Sequence, residues 1–218
     1  MNNILVIGDL HCPFDHEGYL KFNQQLVKRF NINRVVFIGD ILDGHAWNYH
    51  EHDPDGKSAG GELDEAIKRL KRWYKAFPKA DVLYGNHDLL ISRKAKTAGL
   101  SSRFIKDFNE IIEAPKGWKF HHELIIDGNL YIHGSTGNAL TRARDTRISV
   151  IQGHLHSRGF VEWIVSIKDK IFGLQVPCGI DRDAYAMDYG KMFPKKPILG
   201  SGLVLENGKL PLVVLMDL

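Results

Sequence analysis

Short apolar runs alternate along the chain with turn-forming residues, and the runs are of two kinds. Residues 3–7, 34–38 and 81–84 are continuous and rich in β-branched side chains, as strands buried on both faces are. Helical stripes lie between them. Leu20, Gln24, Val27 and Phe30, with Tyr19 and Leu26 beside them, predict a helix over 17–30. Leu63, Ile67, Leu70, Tyr74 and Phe77 predict another over 62–77. Strand, helix, strand is the pattern of parallel crossover units. Residues 89–99 read as a basic loop or weak helix. Phe104, Ile105, Phe108, Ile111 and Ile112 predict a helix over 101–113, which Pro115-Lys116-Gly117 ends.

Beyond that break the period changes from helical to strand-like. Strands are expected over 118–126, 129–133, 148–152, 160–167, 170–177, 201–206 and 211–216, with Asp127-Gly128 and Asn207-Gly208 as hairpin turns. The apolar run 210–215 reads as a core strand rather than a subunit edge. No repeat or linker divides the chain, so 1–218 is expected to be one domain.

Polar residues at the strand ends change the picture. Five apolar runs end in Gly, Asp, Asn or His: Gly8-Asp9-Leu10-His11, Gly39-Asp40-Ile41-Leu42-Asp43, Gly85-Asn86-His87-Asp88, His133-Gly134 and Gly153-His154-Leu155-His156. Asp9 and His11 are two residues apart, as are His154 and His156, so an extended segment turns each pair to one side. Carboxylate, amide and imidazole donors at five strand ends suit a metal centre at one edge of a sheet. Such donors favour Mn, Fe, Zn, Co or Ni over Ca.

These five motifs, in this order and each after a strand, resemble the calcineurin-like metallophosphoesterase superfamily. The resemblance spans residues 8–156 and implies an α/β fold: a four-layer α/β/β/α sandwich, two mixed sheets flanked by helices. It implies two divalent metal ions, manganese first, with iron, zinc, nickel, cobalt or magnesium as alternatives. Asp9, His11, Asp40 and His156 would hold one metal. Asp40, Asn86, His133 and His154 would hold the other, with Asp40 bridging. A metal-bridging hydroxide would attack phosphorus, His87 would be the general acid, and Asp43 would orient His87 as the carboxylate of a dyad. Asp88 is expected to cap the following segment or to help position His87.

The chain departs from the protein Ser/Thr phosphatases of that superfamily. Where those enzymes carry phosphate-clamping arginines, this sequence has Gly44-His45 after the second motif and Leu89-Leu90 after the third. That argues against a phosphoprotein phosphatase. The Gly153-His154-Leu155-His156 ending is more similar to the phosphodiesterase, nuclease and small-phosphatase branches, so the expected substrate is a phosphodiester of the nucleotide or nucleic-acid type. A phosphomonoester is the alternative, and a non-catalytic binding protein on the same fold a remoter one. His45, Arg93, Arg142 and Arg144 are the expected substrate contacts. Trp47 and Tyr49, in the long polar loop 44–61, are expected either to stack on a base or to anchor the loop, and the basic face at 68–75 to be solvated.

Composition adds limits. Hydrophobic residues make up 44% of the 218, ordinary for a globular chain, and no apolar run is long enough to span a bilayer. The first residues are strand-like rather than a cleavable leader, and there are only two cysteines. A reducing, cytoplasmic setting is expected, with no membrane partner. The net charge of +3 neither requires nor excludes a polyanion.

Overall fold

A computed structural model describes residues 1–49, 53, 55–184 and 194–217. In chain order the strands of the first half are β1 (Ile4–Ile7), β2 (Arg34–Phe37), β3 (Ala80–Leu83) and β4 (Trp118–His121). Helices α1 (Tyr19–Arg29) and α2 (Ala59–Ala76) join the first three. The short helices α3 (Leu90–Thr97) and α4 (Phe108–Ile111) precede β4. The second half supplies β5 (Glu123–Ile126), β6 (Asn129–Ile132), α5 (Ala139–Thr146), β7 (Val150–Gln152), β8 (Phe160–Val165), β9 (Lys170–Gln175), β10 (Gly200–Leu205) and β11 (Leu210–Leu215). One sheet runs β11-β10-β1-β2-β3-β4 and the other β5-β6-β7-β9-β8.

The layering follows from the two faces of β1, which is wholly buried. Leu5 and Ile7 pack with Leu26, Leu70 and Trp73 of α1 and α2. Ile4 and Val6 turn the other way and meet Tyr131, Ile151, Phe172 and Leu174 of the second sheet. A strand that must be apolar on both faces has no polar alternation, which is why residues 3–7 read as a continuous run. On the far side of the second sheet, Ala139 and Ala143 of α5 pack on Leu130, Val150 and Ile171. The result is the expected four layers, helix, sheet, sheet, helix. Strands β1 to β4 are parallel, as are β6, β7 and β9. The loops after these parallel strands leave from the carboxyl ends, where sites form in such sheets.

Several expectations change. The helix over 101–113 is a single 3₁₀ turn, Ser102–Phe104, followed by the one-turn α4. The Ser101 hydroxyl accepts from the Arg103 amide and starts the first turn, while Ile105 is extended and ends it. Phe108 and Ile112 are buried with Ile111 packed part-buried beside them, and Phe104 is 79% exposed. The run 118–126 divides at His122, so that β4 joins one sheet and β5 the other. Helix α5 carries few large apolar residues to signal it. It is visible in retrospect as an Asn138 side-chain cap followed by alanines four apart. Strand β11 pairs only with β10 and is an edge, as Pro211, which lacks an amide hydrogen, requires. The basic face of α2 is not wholly solvated, since the Arg69 guanidinium reaches the buried Asp15 carboxylate.

One buried network fastens β1 to the strands beside it. The Tyr19 hydroxyl accepts from the Gly8 amide at 3.1 Å, donates to the Gly200 carbonyl at 2.7 Å and lies 2.9 Å from Ser201 Oγ. Removing it by Tyr19→Phe leaves buried polar groups without a partner. The expected loss is about 1–3 kcal/mol of stability, read as a lowered midpoint in urea with an unchanged slope.

Candidate metal centre

All five motif segments arrive at one place, from the carboxyl ends of β1, β2, β3, β6 and β7. Asp9, His11, Asp40 and His156 bring donor atoms within 4.8 Å of one another. Asp40, His133 and His154 do the same, and so do His11, Asp43 and His87. His156 Nε2 is 3.1 Å from Asp9 Oδ2, and His11 Nε2 is 3.5 Å from Asp40 Oδ2. His133 Nε2 lies 3.2 Å from Asp40 Oδ2 and 3.0 Å from Asn86 Oδ1. Asp40 thus touches both halves of the cluster.

The backbone is bent to achieve this. His11, Asp40 and His154 have φ values of 51°, 48° and 69°, in the left-handed region that non-glycine residues rarely adopt. Strained residues of this kind persist where their surroundings over-determine them, as at functional sites. Two glycines make room. A Cβ on Gly85 would fall 2.0 Å from Asp40 Oδ1, and one on Gly153 would fall 2.4 Å from Asp9 Oδ1.

Four of these carboxylates are buried: Asp9, Asp40, Asp43 and Asp88. Asp88 is fully accounted for. Its Oδ1 accepts from the amides of Ile41 and Leu42 at 2.8 and 3.1 Å, and its Oδ2 from the Gly85 amide at 2.8 Å. It ties the loop carrying Asp40 to the loop carrying Asn86 and His87. Burial first, then the Asp40 charge, pushes its pKa up to about 7. Burial also opposes ionisation of Asp40, but the imidazoles of His133, His87 and His11 outweigh it. They hold that carboxyl well below the usual range. Burial lowers His133 too, yet Asp40 and Asp9 overcome it and raise the imidazole to about 10. His11 and His154 stay below the ordinary value, mainly through burial.

Asp43 departs from the expected dyad. Its carboxylate takes His11 Nδ1 at 2.7 Å, whereas His87 Nδ1 donates to the main-chain carbonyl of Asp43. The side chain therefore orients a would-be metal ligand and the backbone orients His87. His87 is further held by its own amide, which donates to Asp40 Oδ1 at 2.9 Å. Its ring stands edge-on to that of His11, with centroids 4.6 Å apart. Burial lowers its pKa, but Asp40 and Asp43 together raise it above the ordinary value.

The expected substrate contacts fare differently. His45 is buried, with its amide donating to Glu62 Oε1 at 2.8 Å and its Nε2 accepting from the Asp53 amide at 3.2 Å, so it serves the loop's own structure. His50 and His52 lie outside the described residues. Trp47 packs on the core as a loop anchor, while Tyr49 is exposed. Arg93 is exposed on α3, over the Tyr49 ring. Arg142 and Arg144 lie on α5, and among the described residues neither pairs with a site carboxylate. Sequence reading missed Glu62, a buried carboxylate that accepts from the amides of both His45 and Ala46 and so holds the turn after Asp43. Burial raises it to about 7. Its partners are backbone amides, which leave no pattern in a sequence.

The donor set fits divalent cations. Asp9 Oδ1 is buried with no hydrogen-bond partner. Two imidazole nitrogens, His11 Nε2 and His156 Nε2, face one another at 3.2 Å with oxygens on either side. Unpartnered oxygen and converging nitrogens of this kind are what a bound cation satisfies.

A model of the calcineurin-like phosphoesterase family matches residues 3–166. No curated protein sequence matches the chain. Among solved structures, the phosphoesterase Yfce from E. coli is similar at 11% identity, covering 94% of this chain and 88% of its own, with a TM-score of 0.43. Vps29 of Chaetomium thermophilum matches at 11% identity, with coverages of 95% and 86% and a TM-score of 0.45. The nuclease MPE of Pseudomonas putida matches at 12% identity, with coverages of 96% and 86% and a TM-score of 0.33.

Two variants test the geometry. Gly85→Ala is expected to drive the Asp40 carboxylate out of place and to weaken divalent-cation binding at least about ten-fold, measured by titration calorimetry. Asp43→Ala removes the acceptor that fixes His11. Loss of such an outer partner costs about 10–100-fold in metal affinity, so reduced metal retention after dialysis is the expected readout.

Proposed function

The chain belongs to the calcineurin-like phosphoesterase family, and on that premise we propose that it is a metal-dependent hydrolase of phosphodiesters of the nucleotide or nucleic-acid type. The observation that carries this reading is the pair of donor clusters, Asp9, His11, Asp40 and His156 on one side and Asp40, His133 and His154 on the other, that share Asp40. His87 stands beside them with its Nδ1 committed to a carbonyl.

In this reading Asp9, His11, Asp40 and His156 hold one cation, and Asp40, Asn86, His133 and His154 the second. Two such cations supply Lewis-acid charge to the phosphoryl group and lower the pKa of bound water. The protein's own residues do the rest. Asp43 and Asp88 fix the donors: the first through His11, the second by joining the loops after β2 and β3. His87 is the general acid. Its Nδ1–H donates to the Asp43 carbonyl, which leaves Nε2 as the nitrogen that gives a proton to the departing oxygen.

A diester is favoured over a monoester by what lines the turn after Asp43. A Cβ on Gly44 would fall 2.7 Å from Trp47 Nε1 and 3.2 Å from Leu90 Cδ1, so no arginine fits there, and Leu90 is itself buried. A doubly charged monoester loses most from the lack of a guanidinium clamp at this turn, and a singly charged diester least. Manganese is the proposed metal.

The test compares bis-p-nitrophenyl phosphate with p-nitrophenyl phosphate, with manganese and then with EDTA. Diester turnover abolished by EDTA is expected, and a preference for the monoester would replace the diester reading. His87→Ala should lower turnover about 10²–10⁴-fold while metal content stays near that of the parent. Loss of both metals in that variant would remove His87 from the role of acid. Asp40→Asn should lose both activity and metal.

A further inference from the structure

The loop from the third motif runs directly into a stretch of unusual composition. Between Asp88 and Asp107 there is no acidic residue, while Arg93, Lys94, Lys96, Arg103 and Lys106 bring five cations. In an ordinary chain about a quarter of residues are charged, with both signs mixed. The stretch also places apolar surface outward. Phe104 is 79% exposed and Leu100 52% exposed, and both sit among these cations. The 3₁₀ turn that carries Phe104 is started by the Ser101 side chain and followed by Phe108, which is buried against Tyr84 and Phe120. Phe104 is thus presented by a fixed turn rather than left over from a helix.

A second segment meets this one. Tyr49, 55% exposed, ends the turn that begins at Asp43. Its ring receives Arg93 Cζ at 5.6 Å and Lys94 Nζ at 5.0 Å. The two arms of the surface therefore grow from the two loops that fix His87, one through the Asp43 carbonyl and one through the His87 turn, whose carbonyl accepts from Leu90 at the start of α3.

We propose that Tyr49 and residues 93–106 form a docking surface for single-stranded nucleic acid, which delivers a phosphodiester to the metal centre. This rests on the phosphodiesterase reading for its purpose but not for its chemistry. Cations track a phosphate backbone, and exposed rings accept unstacked bases, which have π-faces whatever their sequence. A duplex hides those faces, so single strands are preferred. An anionic lipid surface would use the cations and Phe104, but it has no need of the continuity between this surface and the two loops that hold His87.

The experiment is fluorescence anisotropy of a labelled oligothymidylate about a dozen nucleotides long, with EDTA present, over a range of salt. Affinity should fall linearly in log–log form with salt. Phe104→Ala, at a position too exposed to unfold the chain, should weaken binding about ten-fold. The double variant Arg103→Gln, Lys106→Gln should lower the salt slope by about 1.4, at roughly 0.7 for each phosphate no longer neutralised. Turnover of bis-p-nitrophenyl phosphate should be unchanged in these variants. Equal binding of duplex or heparin, indifference to Phe104→Ala, or capture by phosphatidylserine vesicles without oligonucleotide binding would each overturn the proposal. Diester turnover without oligonucleotide binding would overturn this surface and spare the proposed activity. Oligonucleotide binding without diester turnover in manganese would do the reverse.

Discussion

Four carboxylates, Asp9, Asp40, Asp43 and Asp88, are buried together at the meeting of two sheets, and the loops around them are shaped by the need to satisfy that charge. A buried carboxylate without partners costs several kcal/mol. Here nearly every oxygen is answered, and the answers come from backbone as much as from side chains. Asp88 takes three amides, Asp40 takes the His87 amide and the His133 ring, and Asp9 takes the His154 amide. Most of these bonds join loops from different strands, so neutralising the charge and closing the site are one event. The remainder is Asp9 Oδ1, buried with no hydrogen-bond partner and 3.8 Å from His133 Nδ1. A cation completes what the protein leaves undone, and it does so where the imidazoles already converge.

That arrangement explains which parts of the molecule could be read in advance. Strands buried on both faces must be continuously apolar, so residues 3–7, 34–38 and 81–84 announce themselves, as do the polar residues that end them. The donors lie within a few residues of their strands, and their spacing alone puts them at one edge. Partnerships across the fold are another matter. Nothing in the spacing of Asp43 says whether its carboxylate turns to His11 or to His87, because both rings lie within reach and the choice is made by packing. Glu62 reaches the backbone amides of His45 and Ala46, far back along the chain, and amides have no sequence identity. The helix expected over 101–113 failed for a related reason. Its apolar spacing is real, but Ser101 satisfies a local amide and the chain starts a tighter turn instead.

The same competition between local bonding and regular structure accounts for the surface beside the site. A helix through 101–113 would have buried Phe104 with Phe108 on one stripe. The 3₁₀ turn separates them, sending Phe108 into the aromatic cluster with Tyr84 and Phe120 and Phe104 into solvent among cations. Irregularity here has a chemical consequence, since it converts a would-be core residue into an exposed ring.

Asp43 shows how one residue can divide two tasks. Its carboxylate sets the tautomer and tilt of His11, a member of the candidate metal cluster, while its carbonyl receives His87. A change of side chain at this position acts on the first task and leaves the second to the backbone. The backbone is in turn held from outside the cluster, by Glu62 on the two amides of His45 and Ala46 and by the packing of Trp47 and Leu90 where a Gly44 side chain would stand. The His87 ring is therefore positioned by the fold of the turn, and its backbone by the Asp40 carboxylate. A side chain fixed in that way keeps its place when the charge around it changes, as it would on cation binding at Asp9 and Asp40.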